Sequence, residues 1–338
     1  MSLPSAHQVI RFVAPVTGAV GLAQFAQATE PVREPAEGQM LVRNVLLSLD
    51  PSQRRQMMPG VEYAEPLRLG DVMIGRTMAR VVDSRLPGFS PGDWVRGKFG
   101  WQEYAVSNGM HVERIALDGF APSRYLGALG NPGITAWVGL EVIAQARAGE
   151  TVVISAACGA VGGAAAAIAR ARGCHPVGIA GGARKCRHAV EQLGYEACVD
   201  YRAPDFVAAL RAATPMGVDV DFENVGGEVF DAVLGRLNDH ARIALCGLVS
   251  QYNLAEPDGL RNVAALLNHN VRLQGFRLAQ YARHRAEALG ELKALLRSGA
   301  YRPDETIVDG LDQAPQAFMD LFRGVNMGKM LVRIGPEA

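Results

Sequence analysis

The segment that most constrains the fold runs TVVISAACGAVGGAAAAIARARG, from Thr151 to Gly173. It has the pattern of a short β-branched strand, a glycine-rich turn and an alanine-rich helix. The turn matches the spacing G-x-G-x-x-G with Ala157, Gly159 and Gly162, so alanine replaces the first glycine. Glycine at the second position lets the backbone approach a pyrophosphate, and glycine at the third lets helix and strand pack closely. We therefore predict a dinucleotide site; the alternative is a Gly/Ala turn that serves packing alone.

Six β-prone segments alternate with helical patterns over the next part of the chain. They are TVVIS (151–155), HPVGIA (175–180), ACV (197–199), VDVDFE (218–223), RIALCG (242–247) and VRLQGF (271–276). Strands that alternate with helices form a parallel sheet covered on both faces, so we predict a doubly wound α/β domain of the Rossmann type. An amphipathic helix from about Tyr281 to Arg297 follows and ends at Gly299, a residue suited to a left-handed C-cap.

The segment from Met40 to Val106 has a different pattern, with short β-prone runs separated by turns such as LPGFSPGDWV. It predicts a smaller, mostly β, barrel-like domain, and a chain of 338 residues is long enough for two domains. The tail contains APQAFMDLFRG and KMLVRI, a helix and a strand that we expect to return to this domain. We predict one domain from residues 1–126 and 300–338, and a dinucleotide-binding domain over residues 127–299.

The charge balance bears on the partner, because 34 lysines and arginines equal 34 aspartates and glutamates. A chain without net charge does not attract polyanions, which argues against nucleic acid or an anionic membrane surface. The sequence shows no signal-peptide pattern and no apolar run long enough to span a membrane, so we expect a cytoplasmic protein. The five cysteines form no CxxC pair and no zinc-ligand spacing, and we expect core thiols without disulfides.

The end of the second predicted strand indicates which nicotinamide cofactor binds. A site for NAD usually has a carboxylate there, which accepts hydrogen bonds from the ribose hydroxyls. This chain has Gly181, Gly182, Ala183, Arg184 and Lys185 instead. The small residues leave room for a 2′-phosphate and the two cations can pair with it, so we predict NADP. The alternative for the two cations is an ordinary solvated helix start, although cations oppose the helix dipole at that position.

Eight segments carry a resemblance to a known family. They are SLDP (48–51), PGDWV (91–95), GNPGITAW (130–137), SAACGAVGG (155–163), GCHPVGIAGGARKC (173–186), FENVGG (222–227), IALCGLVSQYN (243–253) and NMGKMLV (326–332). Together they resemble the medium-chain dehydrogenase/reductase family, in the zinc-free branch that includes prostaglandin reductases, plant double-bond reductases and bacterial curcumin reductase. The resemblance implies a GroES-like first domain, a homodimer, and NADPH-dependent reduction of the carbon–carbon double bond of small α,β-unsaturated ketones and aldehydes.

The resemblance also implies a set of cofactor-binding residues. Gly159, Ala160, Val161 and Gly162 would hold the pyrophosphate, and Gly182, Lys185 and Tyr201 would surround the 2′-phosphate. The remaining members would lie along the cofactor, with the first of them near the nicotinamide: Thr135, Asn224, Cys246, Gly247, Leu248, Val249, Ser250, Tyr252, Phe276, Arg277, Leu278 and Asn326. The residues themselves support Asn224 and Cys246, which follow predicted parallel strands at the edge where ligands bind; a core thiol explains Cys246 equally well.

Tyr252 is the candidate catalytic residue, since it follows the fifth predicted strand at that same edge. Hydride addition to the β-carbon of an enone places negative charge on the carbonyl oxygen, and a phenol can donate a hydrogen bond to it without being charged. The same hydroxyl could instead deliver the proton to the α-carbon, as solvent could. Packing against the cofactor is the alternative role for Tyr252.

Two positions depart from the family pattern. Where the family commonly has DPYMR, this chain has Asp50-Pro51-Ser52-Gln53-Arg54, and where many relatives have methionine before the Pro-Gly pair, it has Asn131. The first change removes a tyrosine and a methionine from a segment near the substrate pocket. The second adds a polar group, which favours a more polar ligand.

Other functions fit the sequence less well or remain open. Zinc alcohol dehydrogenases need thiolate or imidazole ligands from the first domain, but no cysteine precedes Cys158, and Arg76 stands where a ligand would be required, so we expect no metal site. Hydrolase motifs of the GxSxG and HExxH types are absent from the sequence. An NADPH:quinone reductase of the same superfamily and a non-catalytic NADP-binding redox sensor remain as alternatives.

Overall fold

The computed structural model describes residues 3–58, 66–254 and 256–337. The chain forms two compact units, Met1–Leu126 with Glu305–Ala338, and Gly127–Asp304. Within the described ranges, no helix is both long and apolar enough to cross a membrane.

The strands are numbered in chain order. They are β1 (Ala6–Phe12), β2 (Phe25–Pro31), β3 (Met40–Ser48), β4 (Arg76–Ser84), β5 (Trp94–Gly97), β6 (Tyr104–Ser107), β7 (Glu113–Arg114), β8 (Thr151–Ser155), β9 (His175–Ala180), β10 (Ala197–Asp200), β11 (Val218–Glu223), β12 (Leu237–Leu245), β13 (Arg272–Gly275), β14 (Glu305–Asp309) and β15 (Lys329–Arg333). The α-helices are α1 (Ser52–Gln56), α2 (Asn131–Trp137), α3 (Ala160–Ala171), α4 (Ala183–Gln192), α5 (Phe206–Ala213), α6 (Gly227–Leu234), α7 (Ala264–Asn268), α8 (Arg285–Ser298) and α9 (Ala314–Arg323).

The second unit contains a six-stranded sheet in the order β10-β9-β8-β11-β12-β13. Each neighbouring pair is parallel. The chain runs outward from β8 to β10 and then returns to the other side of β8 as β11, which makes the β8/β11 boundary the topological switch point. The predicted doubly wound parallel sheet is confirmed.

Several element boundaries in this unit differ from the prediction, and two of the differences have a local cause. Strand β12 ends at Leu245 because the N–H groups of Cys246 and Gly247 both turn to the carbonyl of Glu223. The helix expected from Tyr281 begins instead at Arg285. Tyr281 has non-helical dihedral angles (φ −113°, ψ 23°), and its hydroxyl accepts a hydrogen bond of 3.2 Å from the side chain of Gln274.

The first unit is built mainly of antiparallel strands. Its larger sheet has the order β14-β15-β3-β4-β5-β7, with β6 also paired to β3, and β1 pairs with β2 in a second sheet. The tail returns to this unit, since β15 pairs with the first-domain strand β3. Three aromatic rings pack together in its core. The Trp101 ring stacks on Phe25 with 5.4 Å between ring centroids and packs edge-on against Phe318 with 5.6 Å between centroids. The predicted mostly β domain is confirmed.

Candidate functional site

The carboxyl-terminal edge of the six-stranded sheet brings together most of the residues singled out from the sequence. The turn after β8, the turn after β9, the end of β10, the turn after β11 and the loop after β12 all lie in the second unit and leave the sheet at this edge. In open parallel sheets this edge is where ligands bind, next to the switch point.

The start of α3 leaves backbone N–H groups without a side-chain cap. Its N-cap is Gly159, with extended dihedral angles, and no acidic residue lies in the first turn. The first N–H groups of a helix have no partners within the helix, and they carry the positive end of its dipole. The turn therefore presents a donor cluster suited to an anion.

Close backbone contacts require glycine at one position of this turn and favour it at another. A Cβ at Gly162 would lie 2.5 Å from the carbonyl oxygen of Ala156, and one at Gly159 would lie 3.1 Å from the same atom. At Gly162 the start of α3 therefore packs closely against the turn that follows β8.

The alanine that replaces the first glycine is accommodated by the neighbouring strand. Ala157 is fully buried, and a Cβ on Gly178 in β9 would lie 2.8 Å from the Ala157 methyl group. The turn is also held by Tyr195, whose hydroxyl donates to the carbonyls of Ala157 (3.2 Å) and Gly162 (2.9 Å).

The turn after β9 leads into a second uncapped helix start. Gly182 is the N-cap of α4 and has φ 94°, a conformation that L-residues rarely adopt. Its N–H donates to the Asp200 carboxylate at 2.7 Å, and the N–H of Arg202 donates to the same oxygen at 2.9 Å. Asp200 thus ties the end of β10 to the start of α4.

Several cations gather around this turn. Burial lowers the pKa of Lys185, and the positive charges of Arg202 and Arg184 lower it further. The Arg202 guanidinium lies over the Tyr201 ring at 5.6 Å, and its Nε lies 2.9 Å from the position of a Gly181 Cβ. A group of like charges held this closely favours a bound anion, which would relieve their repulsion.

The sequence interpretation missed Arg202 and Asp200. Both belong to the end of the third parallel strand, which the topology places beside the second. Arg202 directly follows the predicted residue Tyr201, so the sequence contained a hint of it. The role of Arg202 nevertheless depends on which strand lies next to β9.

Asn224 joins the ends of the two central strands. Its backbone N–H donates to Ser155 Oγ at 2.7 Å and its Nδ2 donates to the Ser155 carbonyl at 2.8 Å. The neighbouring Glu223 is fully buried, and one oxygen accepts from the N–H groups of Val225 and Gly226. These bonds fix the turn after β11 on the site.

Two fully buried carboxyl groups lie on the same face of β11. Burial raises the pKa of Glu223 to about 7, against the effect of its hydrogen bonds. Burial also raises the pKa of Asp221 far above its usual value, and the charge of Glu223 raises it further. Asp221 pairs in register with Val153 on one side and Ile243 on the other, so it sits among apolar strands. Both effects favour the protonated, uncharged form of Asp221.

Tyr252 lies at the end of the loop that follows β12. This loop is fastened to the turn after β11, with the N–H of Val249 donating to the Asn224 carbonyl at 3.0 Å. The Tyr252 hydroxyl accepts from the N–H of Leu248 at 3.4 Å and lies 3.4 Å from the position of a Gly247 Cβ. Because the oxygen is the acceptor, this bond does not use the phenolic proton.

The remaining predicted residues are placed as follows. Cys246 is half-buried after β12, and burial together with the charge of Glu223 raises its pKa to about 12. Phe276 follows β13 and packs edge-on against Phe222. Thr135 lies in α2 of the same unit. Asn326 belongs to the first unit, where its side chain donates to the Gly328 carbonyl at 2.7 Å.

Gln53, one of the departures from the family pattern, is a buried structural residue in the first unit. Its amide donates to the Ile74 carbonyl at 2.7 Å, and its oxygen accepts from the N–H of Asp50 at 2.8 Å. Asp50 in turn pairs with the buried Lys329 at 3.1 Å. The amide thus replaces an apolar side chain with a link between backbone segments.

All five cysteines are free, and in the described part of the chain no group of three or more His, Cys, Asp or Glu side chains is arranged to hold a metal ion.

Comparison with known proteins agrees with this architecture. A family model described as the N-terminal domain of oxidoreductase matches residues 8–115, and one described as a zinc-binding dehydrogenase matches residues 160–294. The NADPH-dependent curcumin reductase of Escherichia coli (strain K12) is 45% identical over 319 residues, which cover 93% of this chain and 92% of that protein. The NADP(+)-dependent 2-alkenal reductase of Nicotiana tabacum is 36% identical, with 88% of each chain covered.

A solved structure extends the likeness to three dimensions. CurA from Vibrio vulnificus, crystallised in complex with NADPH, superposes with a TM-score of 0.93 at 40% identity. The match covers 97% of this chain and 99% of that one.

Proposed function

The chain belongs to the medium-chain dehydrogenase/reductase family, in the zinc-free branch that contains curcumin reductase, and from this premise we propose that it uses NADPH to reduce the carbon–carbon double bond of small α,β-unsaturated ketones and aldehydes. One observation carries the proposal: an uncapped helix start and a cluster of cations share the carboxyl edge of the sheet with a phenol. The relatives act as NADP-dependent reductases by name.

The residues at this edge fit NADPH. The uncapped N–H groups of Ala160, Val161 and Gly162 suit the pyrophosphate, and Gly159 keeps the approach open. Lys185 and Arg202, with Arg184 beside them, suit the additional 2′-phosphate. The charge of Asp200, which would oppose a phosphate, is already engaged by two backbone N–H groups.

NADPH, when bound, supplies the hydride that adds to the β-carbon of the substrate. In our proposal Tyr252 donates a hydrogen bond to the substrate carbonyl oxygen, where negative charge develops as the enolate forms. Its position supports this role, because its oxygen accepts from the Leu248 N–H and its orientation is held by that bond. A preoriented donor stabilises such a charge more than water does. The other predicted cofactor contacts, from Thr135 to Asn326, stay predictions.

A panel of acceptors with NADPH tests the reaction. Enones and enals should be reduced at the double bond, with the saturated carbonyl compound as product. Faster turnover of quinones would favour the quinone reductase alternative. Tight NADPH binding without turnover of any acceptor would favour a redox sensor.

We also propose a homodimer formed through the β13 edge. Among the described strands, β13 pairs with β12 alone, so its other edge offers free backbone groups. Apolar side chains near it are exposed, including Leu273 (37%) and Leu267 (82%). Light scattering should give twice the chain mass, and Leu267→Asp should lower it. For location we propose the cytoplasm, where the five free thiols suit a reducing environment.

A further inference from the structure

A buried carboxyl group closes the turn that follows β11. Glu223 is the last residue of this strand and is fully buried. Its Oε1 accepts hydrogen bonds from the N–H groups of Val225 and Gly226, each at 2.5 Å. Gly226 has φ 81°, a conformation that L-residues rarely adopt. The two bonds to the carboxyl group therefore fix the backbone of this turn.

Two contacts connect the turn to the loop that contains Tyr252. The Val225 carbonyl accepts from the N–H of Ser250 at 2.9 Å and from the hydroxyl of the same residue at 2.6 Å. Gly226 packs against Leu248, since a Cβ at Gly226 would lie 2.9 Å from the Leu248 side chain. The N–H of Leu248 is in turn the donor to the Tyr252 hydroxyl. The position of this hydroxyl therefore depends on the turn.

We propose that Glu223 is a positioning residue for the reaction, because its carboxylate holds the turn that orients the Tyr252 hydroxyl. The inference rests on the proposed role of Tyr252, to which it adds the group that sets the position of the phenol.

The neighbouring groups proposed to bind the cofactor are held by other bonds. Asn224 is bonded to Ser155 through both its backbone N–H and its side-chain amide. The turn after β8 is bonded to the Tyr195 hydroxyl. None of these bonds uses the Glu223 carboxylate, so its loss should slow hydride transfer more than it weakens binding of NADPH.

The charge of Glu223 should make its effect depend on pH. Burial raises the pKa of Glu223 to about 7, and an ionised carboxylate accepts stronger hydrogen bonds than a protonated one. As the pH falls through this value, the two bonds to the turn weaken. The rate of hydride transfer should therefore fall too.

Two other titratable groups in the described part of the chain interact with Glu223. Burial and the charge of Glu223 raise the pKa of Asp221 far above its usual value and that of Cys246 to about 12. The acids on the helical segments next to β11 have other surroundings, since Glu141 is paired with an arginine and Glu228 is exposed. Glu223 is therefore the member of this group that we expect to change charge near neutral pH.

The test compares variants of the full-length enzyme, with an enone or enal that the parent reduces. Glu223→Leu removes the acceptor and should slow hydride transfer in single turnovers by roughly tenfold, since a misplacement of about 1 Å can cost as much as 10²-fold. The Kd of NADPH, from titration of cofactor fluorescence, should change much less. Glu223→Gln keeps an acceptor oxygen and should restore most of the rate. This rate should not vary around neutral pH, whereas that of the parent falls below about pH 7.

Hydrogen exchange provides a measurement that needs no substrate. Amides of the loop 246–252 should exchange faster in Glu223→Leu than in the parent, and those of the turn 157–163 should not. Asp221→Asn is the matched control, because Asp221 is a buried acid on the same face of β11 whose carboxyl oxygens have no hydrogen-bond partner in the described part of the chain. It should leave loop exchange and turnover unchanged.

A double variant shows whether Glu223 acts through the phenol. Glu223→Leu should add little to the loss caused by Tyr252→Phe, which already lacks the hydroxyl. Multiplicative losses, unchanged loop exchange in Glu223→Leu, or a pH profile of Glu223→Gln like that of the parent would overturn the inference. If Glu223→Leu does not fold, the profile of Glu223→Gln decides. Full activity of Tyr252→Phe would instead refute the proposed role of Tyr252.

Discussion

Replacing Asp221 with asparagine should stabilise the protein, by an amount that grows with pH. Asp221 is fully buried, its pKa is far above the usual value, and asparagine has nearly the shape of the protonated acid. The native state therefore keeps a proton on Asp221 that the unfolded chain releases above pH 3.8. Since the unfolded state binds fewer protons, the free energy of unfolding falls as the pH rises through this window. Asparagine does not ionise in either state, so the variant lacks this loss.

The magnitude follows from the same pKa values. Each pH unit above the unfolded value costs about 1.4 kcal/mol for as long as Asp221 stays protonated in the native state. Glu223, with a native pKa of about 7 against 4.5, loses stability in the same direction, by about 3 kcal/mol in total. That loss is shared by parent and variant.

Scanning calorimetry of the full-length protein from about pH 5 to pH 8 measures the effect. For a domain of this size 1 kcal/mol corresponds to about 2–4 °C, so the difference in Tm should grow by roughly 3–5 °C per pH unit. Asp219→Asn is the control, because that carboxylate accepts hydrogen bonds from Thr151 N–H and the Asn238 amide and should give no such growth. A difference in Tm that is independent of pH would refute a buried, protonated Asp221.

Three further predictions concern the proposed site. Lys185→Ala and Arg202→Ala should each raise the KM for NADPH by roughly tenfold or more, because each removes a charge-assisted phosphate contact. The KM for NADH should barely change. Equal effects on both cofactors in steady-state assays would contradict this prediction. Tyr252→Phe should lower kcat by roughly 10²-fold with NADPH affinity nearly unchanged, and a variant that keeps over half of the parent turnover in single-turnover experiments would make Tyr252 a packing residue. Gly178→Ala should destabilise the protein by about 1–3 kcal/mol through contact with the Ala157 methyl. Adding Ala157→Gly to this variant should recover part of the lost stability, as measured by thermal unfolding.

Much of the second unit could be predicted because its strands are short apolar runs bounded by turn residues. The bounds of β8, β9 and β11 equal the predicted ones. The predicted C-cap at Gly299 is confirmed too, with φ 74°. These features depend on local sequence, in which β-branched residues favour strands and glycine favours a left-handed cap.

Features that depend on neighbouring strands could not be predicted in this way. The alternating pattern VDVDFE is typical of a strand with one solvated face, but β11 lies between β8 and β12 in a parallel sheet and buries two of its three acids, Asp221 and Glu223. Arg202 joins the cation cluster only because β10 lies next to β9. The role of Gln53 depends on the backbone of Ile74, which is distant in sequence.

The altered fingerprint shows how the two kinds of information combine. A glycine at the first fingerprint position leaves space between the turn and its surroundings, and here that space is taken by the Ala157 methyl. Glycine at position 178 makes room for this methyl group. The N–H of Ala157 donates to the Ile179 carbonyl, and this bond brings the turn against β9. Glycine in a strand interior is unfavourable unless another group approaches closely, so Gly178 within HPVGIA was itself a signal of such an approach. The turn therefore requires that one of two facing positions, 157 or 178, lacks a methyl group. A chain with alanine at 157 and glycine at 178 meets this requirement without matching the motif.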